Sequence, residues 1–102
     1  MHINRSRKFQ IKLLEILKFI AKDKISASRK FQNDLDKQIN NIPLFPFKYK
    51  QSMYFNNKNI RDMTFKRYTI IYEINVKENK IEIMDIFNKN KPNGYNKSLD
   101  DE

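Results

Sequence analysis

The spacing of apolar residues changes once along this 102-residue chain, and that change decides the class of fold. Up to the prolines at positions 43 and 46, apolar residues recur every three or four positions, which is typical of amphipathic helices. Beyond Pro46 they recur at every second position, which is typical of strands with one buried face. Helices followed by strands in so short a chain predict a single α+β domain.

Two helices are predicted before the prolines. The first has an apolar stripe made of Phe9, Leu13, Ile16, Leu17 and Ile20. The second is expected to take Ser26 as its N-cap and to end before Pro43. Its stripe is made of Ala27, Phe31, Leu35, Ile39 and Ile42. A turn of three or four residues would join the two helices into an antiparallel hairpin.

Four antiparallel strands are predicted after the prolines, over residues 48–55, 60–65, 68–75 and 80–87. The helical hairpin is expected to cover one face of this four-stranded sheet and to leave the other face partly open. Residues His2–Asn4 are a candidate for a further, short edge strand. The domain is expected to span residues 1–91, and residues 92–102 read as a polar tail.

Composition excludes several classes of chemistry. The chain has no Cys, a single His at position 2 and a single Gly at position 94. Thiolate or His-based metal sites, His-based catalytic triads and glycine-rich phosphate loops are therefore excluded, and we expect no metal and no cofactor. There is neither a signal peptide nor an apolar run near the roughly 18 residues of a spanning helix, so the sequence predicts a cytoplasmic protein without a membrane partner.

The net charge of +9 is unevenly distributed. Residues 1–50 contain 12 basic and 4 acidic residues, a net charge of +8, whereas residues 51–102 contain 9 and 8, a net charge of +1. A basic half favours an anionic partner, either nucleic acid or an acidic protein. Lys, Asn and Ile fill 43 of the 102 positions, as an AT-rich genome would produce, so the arginines carry more information than the lysines.

Two segments resemble the RelE/ParE superfamily of bacterial toxins. Residues 13–46, LLEILKFIAKDKISASRKFQNDLDKQINNIPLFP, are similar to its helical half, and residues 59–92, NIRDMTFKRYTIIYEINVKENKIEIMDIFNKNKP, are similar to its sheet. In the sheet, an Arg precedes a Y-x-x-x-Y strand, and a hairpin and an I-x-I strand follow. The family usually has Gly just before the first of these tyrosines, where this chain has Arg67.

The resemblance implies the toxin of a type II toxin–antitoxin module, held in a hetero-oligomer by a cognate acidic antitoxin. The leading interpretation is a ParE-like toxin that acts on DNA gyrase without nuclease chemistry. It is favoured by the long helical hairpin near the start and by the ending DIFNKNKP, which contains no Arg or His. The alternatives are a RelE-like endonuclease that cuts mRNA on the translating ribosome, and an inactive, toxin-derived basic binding module.

Candidate site residues follow from both interpretations. A RelE-like nuclease would use Arg61, Lys89 and Tyr95, with Lys48 and Lys50 as phosphate contacts. Lys89 stands where the family has Arg, and Lys cannot hold a phosphate in a fork. The candidates for contacting the antitoxin or the target are Lys48, Lys50, Arg61, Lys66 and Arg67. We expect the Arg61 guanidinium to face the open groove or to pair with a nearby carboxylate such as Asp62.

Overall fold

The computed structural model describes residues 1–88, and its architecture confirms the predicted α+β class. Two helices pack on one face of a sheet with the strand order β1-β5-β4-β3-β2. The elements are β1 (His2–Arg5), α1 (Arg7–Asp23), α2 (Ile25–Asn40), a 3-10 turn (Ile42–Leu44), β2 (Lys50–Gln51), β3 (Ile60–Phe65), β4 (Tyr68–Asn75) and β5 (Lys80–Asn88). Neither helix within residues 1–88 is long and apolar enough to cross a membrane.

The helical hairpin is tighter than predicted. A single residue, Lys24, separates the helices, so the expected turn of three or four residues is wrong. Its extended backbone (φ −157°) ends α1 and begins α2, and its N–H donates to the Ile20 carbonyl at 3.1 Å. Ser26 therefore lies inside α2 and is not its N-cap. The hydroxyl of Ser28 donates to the Leu17 carbonyl at 2.8 Å and ties the two helices together.

The sheet has five strands, not four, and it is not wholly antiparallel. The candidate edge strand exists as β1 and pairs in parallel with β5, with His2 opposite Lys80. The β3–β4 and β4–β5 pairs are antiparallel, as expected. A register shift opposite Ile71 and Tyr72 leaves Ile83 and Ile86 both in the core beneath the helices.

The strand predicted over residues 48–55 is reduced to the two residues of β2. Side chains there take over the backbone donors: the Asp62 carboxylate accepts the Met53 N–H at 3.1 Å, and the Ser52 hydroxyl accepts the Tyr54 N–H at 3.1 Å. The chain consequently leaves the ladder after Ser52. Side chains that compete with the sheet for backbone N–H groups do not disturb the alternation of apolar and polar residues, so that alternation could not predict the shortened strand.

The departing segment covers part of the sheet face away from the helices. Tyr54 and Phe55 pack there against the buried Ile60, Ile71 and Phe87. The main core lies on the other face, between the helices and the sheet. Its fully buried members include Phe9, Leu35, Ile39, Met63, Ile70, Tyr72, Ile81 and Ile83. Both helical stripes thus contribute to the core, with Ile16, Leu17 and Ile20 only partly buried. Ala27 was wrongly included in the second stripe: it is exposed, and the neighbouring Ser28 is buried in its place because α2 begins earlier than predicted.

Candidate functional site

Arg61 occupies a defined position on the helix-side face of β3, beside the loop that follows the 3-10 turn. Its Nε donates to the Lys58 carbonyl at 2.9 Å, and its Nη1 donates to the Tyr49 carbonyl at 3.0 Å. The guanidinium carbon lies 4.9 Å from the centre of the Phe47 ring. The expectation that Arg61 faces an open groove or pairs with Asp62 is therefore wrong. Successive strand residues point to opposite faces, so Asp62 projects away from it.

Tyr72, a buried residue of β4, also anchors the loop that follows the 3-10 turn. Arg61 and Tyr72 are opposite each other in the β3–β4 register, and the Tyr72 hydroxyl donates to the Pro46 carbonyl at 2.6 Å. The ring of Tyr49 meets the Tyr72 ring edge-on, with centres 6.4 Å apart. Burial, and secondarily Tyr49, raises the pKa of Tyr72 well above its usual range, while Arg61 acts in the opposite direction. Tyr72 therefore remains protonated and donates this hydrogen bond at neutral pH.

These contacts fix residues 44–49, which we call the clamped loop. Three of its apolar side chains point outward: Leu44 and Phe45 are 68% and 70% exposed, and Phe47 is 46% exposed. Lys48 is also exposed, with its Nζ 5.6 Å from the centre of the Tyr49 ring. The buried and half-buried members of the cluster thus support a rigid surface of apolar and basic side chains.

The other predicted basic residues do not gather around Arg61. Lys50 lies in β2 opposite Asp62, so it belongs with the face that Arg61 does not occupy. Lys66 and Arg67 form the turn after β3, about five strand residues or roughly 17 Å from Arg61. Lys66 has a positive φ of 54°, and its Nζ lies 5.6 Å and 5.5 Å from the centres of the Phe31 and Phe65 rings. It is this residue, rather than Arg67, that adopts the backbone conformation favoured by Gly.

Lys89 and Tyr95, the remaining candidates for nuclease chemistry, lie outside the described residues. Within residues 1–88, no group of three or more His, Cys, Asp or Glu side chains could hold a metal ion.

Comparison with known proteins places this fold. The family model for the ParE toxin of the type II toxin–antitoxin system parDE matches residues 3–91. The chain belongs to the ParE toxin family. A solved chain from the chromosomal ParDE TA system of P. aeruginosa has the same fold, with a TM-score of 0.71 and 15% sequence identity, over 86% of this chain and 95% of that one. No curated protein sequence matches the chain significantly.

This ParE-family chain has a second accessible surface that the sequence analysis missed. A groove of about 550 Å³ runs along α1, with Ile11 and Leu14 among its apolar lining and with Arg5 and Arg7 among its polar lining. Ile11 and Leu14 are 48% and 52% exposed. One sequence feature could have predicted this surface: Ile11 lies off the apolar stripe of the first helix, and that stripe already supplies the core face.

A buried acid beside the start of α1 was not predicted from the sequence either. Asp85 of β5 is fully buried, and its Oδ1 lies 2.8 Å from Lys12 Nζ while its Oδ2 lies 3.3 Å from Lys8 Nζ. Ser6 caps α1 by accepting the Phe9 N–H, and its hydroxyl donates to the Met84 carbonyl at 2.9 Å. These contacts fasten α1 to the edge of β5 that β1 leaves uncovered, so Asp85 has a structural role.

Proposed function

We propose that this chain is a growth-inhibiting toxin that acts on DNA gyrase in the cytoplasm without nuclease chemistry and is neutralised by a cognate acidic antitoxin. Membership in the ParE family is the starting point. The observation that carries the mechanistic part is the engagement of Arg61, whose guanidinium contacts two backbone carbonyls and one aromatic ring.

Cleavage of RNA requires a base, cationic donors and an acid within hydrogen-bond reach of one phosphodiester. Arg61 is the strongest candidate for a cationic donor among residues 1–88, but two of its donor groups already serve the clamped loop. Lys66 and Arg67 lie at the far end of the same strand. The Tyr72 hydroxyl donates a hydrogen bond to the Pro46 carbonyl, and its raised pKa makes it a poor base at neutral pH. These positions favour binding over cleavage.

The two exposed apolar surfaces support an antitoxin partner. Exposed Phe and Leu side chains beside Lys48 on the clamped loop, and exposed Ile and Leu side chains beside Arg7 in the α1 groove, suit a segment that combines apolar and acidic residues. The net charge of +8 over residues 1–50, which contain most of both surfaces, adds long-range attraction for such a segment.

The mechanism is tested by truncating the chain after Lys91, which removes Tyr95. After induction in bacterial cells, we expect the truncated and full-length chains to arrest growth equally, with DNA damage and intact mRNA. Purified full-length chain should inhibit gyrase supercoiling in vitro. A RelE-like nuclease would instead produce translation-dependent mRNA cuts, and the truncation would abolish them, because loss of one catalytic group costs on the order of 10²–10⁴ in rate.

The antitoxin is tested by co-expression with the protein encoded by the adjacent reading frame. We expect the two products to co-purify and growth to be restored. A toxin that is harmless when expressed alone and never co-purifies with that product would contradict the proposal.

A further inference from the structure

The sheet face away from the helices contains a cavity, lined in part by a buried carboxylate, that the proposed function does not use. It has a volume of about 300 Å³ and is lined by Lys50, Met53, Tyr54, Asp62, Thr64 and Thr69. Asp62 and Thr64 alternate along β3, and Thr69 is the register partner of Thr64 on β4, so the three side chains share one face. The volume corresponds to roughly ten water molecules, which is enough to admit a side chain from outside.

Asp62 is the unusual member of this cavity because it is only 4% exposed. Its Oδ2 accepts the Met53 N–H at 3.1 Å, whereas its Oδ1 has no hydrogen-bond partner. Lys50 is opposite Asp62 in the β2–β3 register, yet no ion pair joins these two side chains in the described part of the chain. The pKa of Tyr54 is raised, first by burial and then by the negative charge of Asp62.

A buried carboxylate with an unused oxygen is costly in the isolated protein, because Oδ1 is withdrawn from water and Asp62 forms no ion pair within residues 1–88. Asp62, Thr64 and Thr69 all line the cavity, so a cation that entered it would lie beside a carboxylate and two hydroxyl groups. This set of acceptors, spread over two neighbouring strands, suits a planar group with several N–H donors better than a point charge. A guanidinium group meets that description.

We propose that this cavity receives an arginine side chain of the antitoxin and thereby determines which antitoxin the toxin accepts. The inference rests on the proposed function, since it requires an antitoxin to exist. On a chain with a net charge of +9, an acidic segment is attracted over a broad area and can bind in several registers. A single buried negative charge selects one of these registers, because only a segment with an arginine at one position compensates Asp62.

The test is a double-mutant cycle on the toxin–antitoxin complex, with the antitoxin taken from the adjacent reading frame. Asp62→Asn keeps an oxygen for the Met53 N–H but removes the charge. We expect it to raise the Kd at least about tenfold, while the thermal midpoint of the toxin alone stays the same or rises. The matched control is Asp34→Asn, which removes the carboxylate that pairs with Lys30 on the surface of α2, and it should change the Kd less than about twofold.

On the antitoxin, each arginine is changed to Gln in turn. One of these changes should raise the Kd about as much as Asp62→Asn and should add nothing further in the Asp62→Asn background. A complex insensitive to Asp62→Asn, or additive effects for every antitoxin arginine, would overturn this inference and leave the proposed function standing. A wild-type chain that forms no complex would refute the proposed antitoxin, and the inference with it.

Lys50→Met separates the partner's arginine from the neighbouring lysine. If Lys50 does not neutralise Asp62 in the isolated chain, the thermal midpoint of the variant should lie within a few degrees of the wild-type value. A large loss of stability that Asp62→Asn restores would show that Lys50 already neutralises Asp62 in solution, and the inference would fall.

Discussion

Replacing Arg61 by Ala tests whether this residue holds the clamped loop or contacts a target. The substitution removes a half-buried hydrogen bond to Tyr49, a more exposed one to Lys58 and the stacking on Phe47. Hydrogen bonds from a charged donor contribute about 1.5–3 kcal/mol each, and an exposed cation–π contact contributes about 0.5–1 kcal/mol. Because one bond is exposed and the terms overlap, we expect unfolding to become easier by about 2–4 kcal/mol.

In a domain of this size, such a loss lowers the thermal midpoint by on the order of 10–30 °C. Urea unfolding monitored by circular dichroism should show a lower midpoint concentration with an unchanged slope. Arg61→Lys should recover only a small part of the loss, because an ammonium group cannot span both carbonyls as the fork does. Arg67→Ala in the exposed β3–β4 turn is the matched control, and it should stay within about 0.5 kcal/mol of the wild type.

Toxicity measured beside stability completes the experiment. If Arg61 is a clamp, activity should fall in proportion to unfolding and should return at lower temperature. An Arg61→Ala chain that is as stable as the wild type yet fully inactive would refute the clamp and would return Arg61 to direct contact with the target.

Three further predictions concern other parts of the chain. Tyr72→Phe should destabilise the fold by about 1–2 kcal/mol at neutral pH by leaving the Pro46 carbonyl unpaired. The pKa values of Tyr54 and Tyr72 are raised in the folded state, so their stabilising effect is present below the unfolded value near 10 and is lost as the pH rises above it. Urea unfolding between about pH 9 and 11 should therefore show a smaller loss of the free energy of unfolding for Tyr72→Phe than for the wild type. Asp85→Asn should cost about 3 kcal/mol because it removes the carboxylate beside Lys8 and Lys12, whereas Asp34→Asn should leave the melting curve unchanged; equal melting of both variants would contradict this. Phe45→Ser should leave stability within about 0.5 kcal/mol of the wild type but weaken antitoxin binding at least about tenfold by calorimetry, and unchanged binding would remove the clamped loop from the antitoxin interface.

The parts of the fold that could be predicted from the sequence are those governed by long periodic patterns. The stripes that include Leu13 and Leu35 placed both helices, and the alternation that includes Met63 and Ile74 placed the three long strands. The parallel β1–β5 pair could not be assigned, because a strand of four residues has too little pattern to identify a partner 78 residues away. The helix boundary at Lys24 was missed because serine is the stronger N-cap by propensity, and hairpin packing overrode that preference.

The candidate site was harder to predict than the fold. Residue type correctly drew attention to Arg61, but its acceptors are backbone carbonyls, which every residue possesses and no sequence pattern marks. Asp62 was predicted only as a possible partner for Arg61, although consecutive residues of a strand project to opposite faces of the sheet. Ile11 and Leu14 could not be distinguished by residue type from the core side chains of the same helix, although the structure leaves both of them exposed.

The β1–β5 pair also determines when the protein can finish folding. Its first strand must wait for its last, because His2 pairs with Lys80. At synthesis rates of about 5–20 residues per second, the ribosome needs roughly 4–18 s to produce the first 88 residues. During that time the helical hairpin, whose contacts are local, can form, but the sheet that carries Arg61 and Tyr72 cannot close. The nascent chain therefore exposes the apolar side of its hairpin until the sheet is complete.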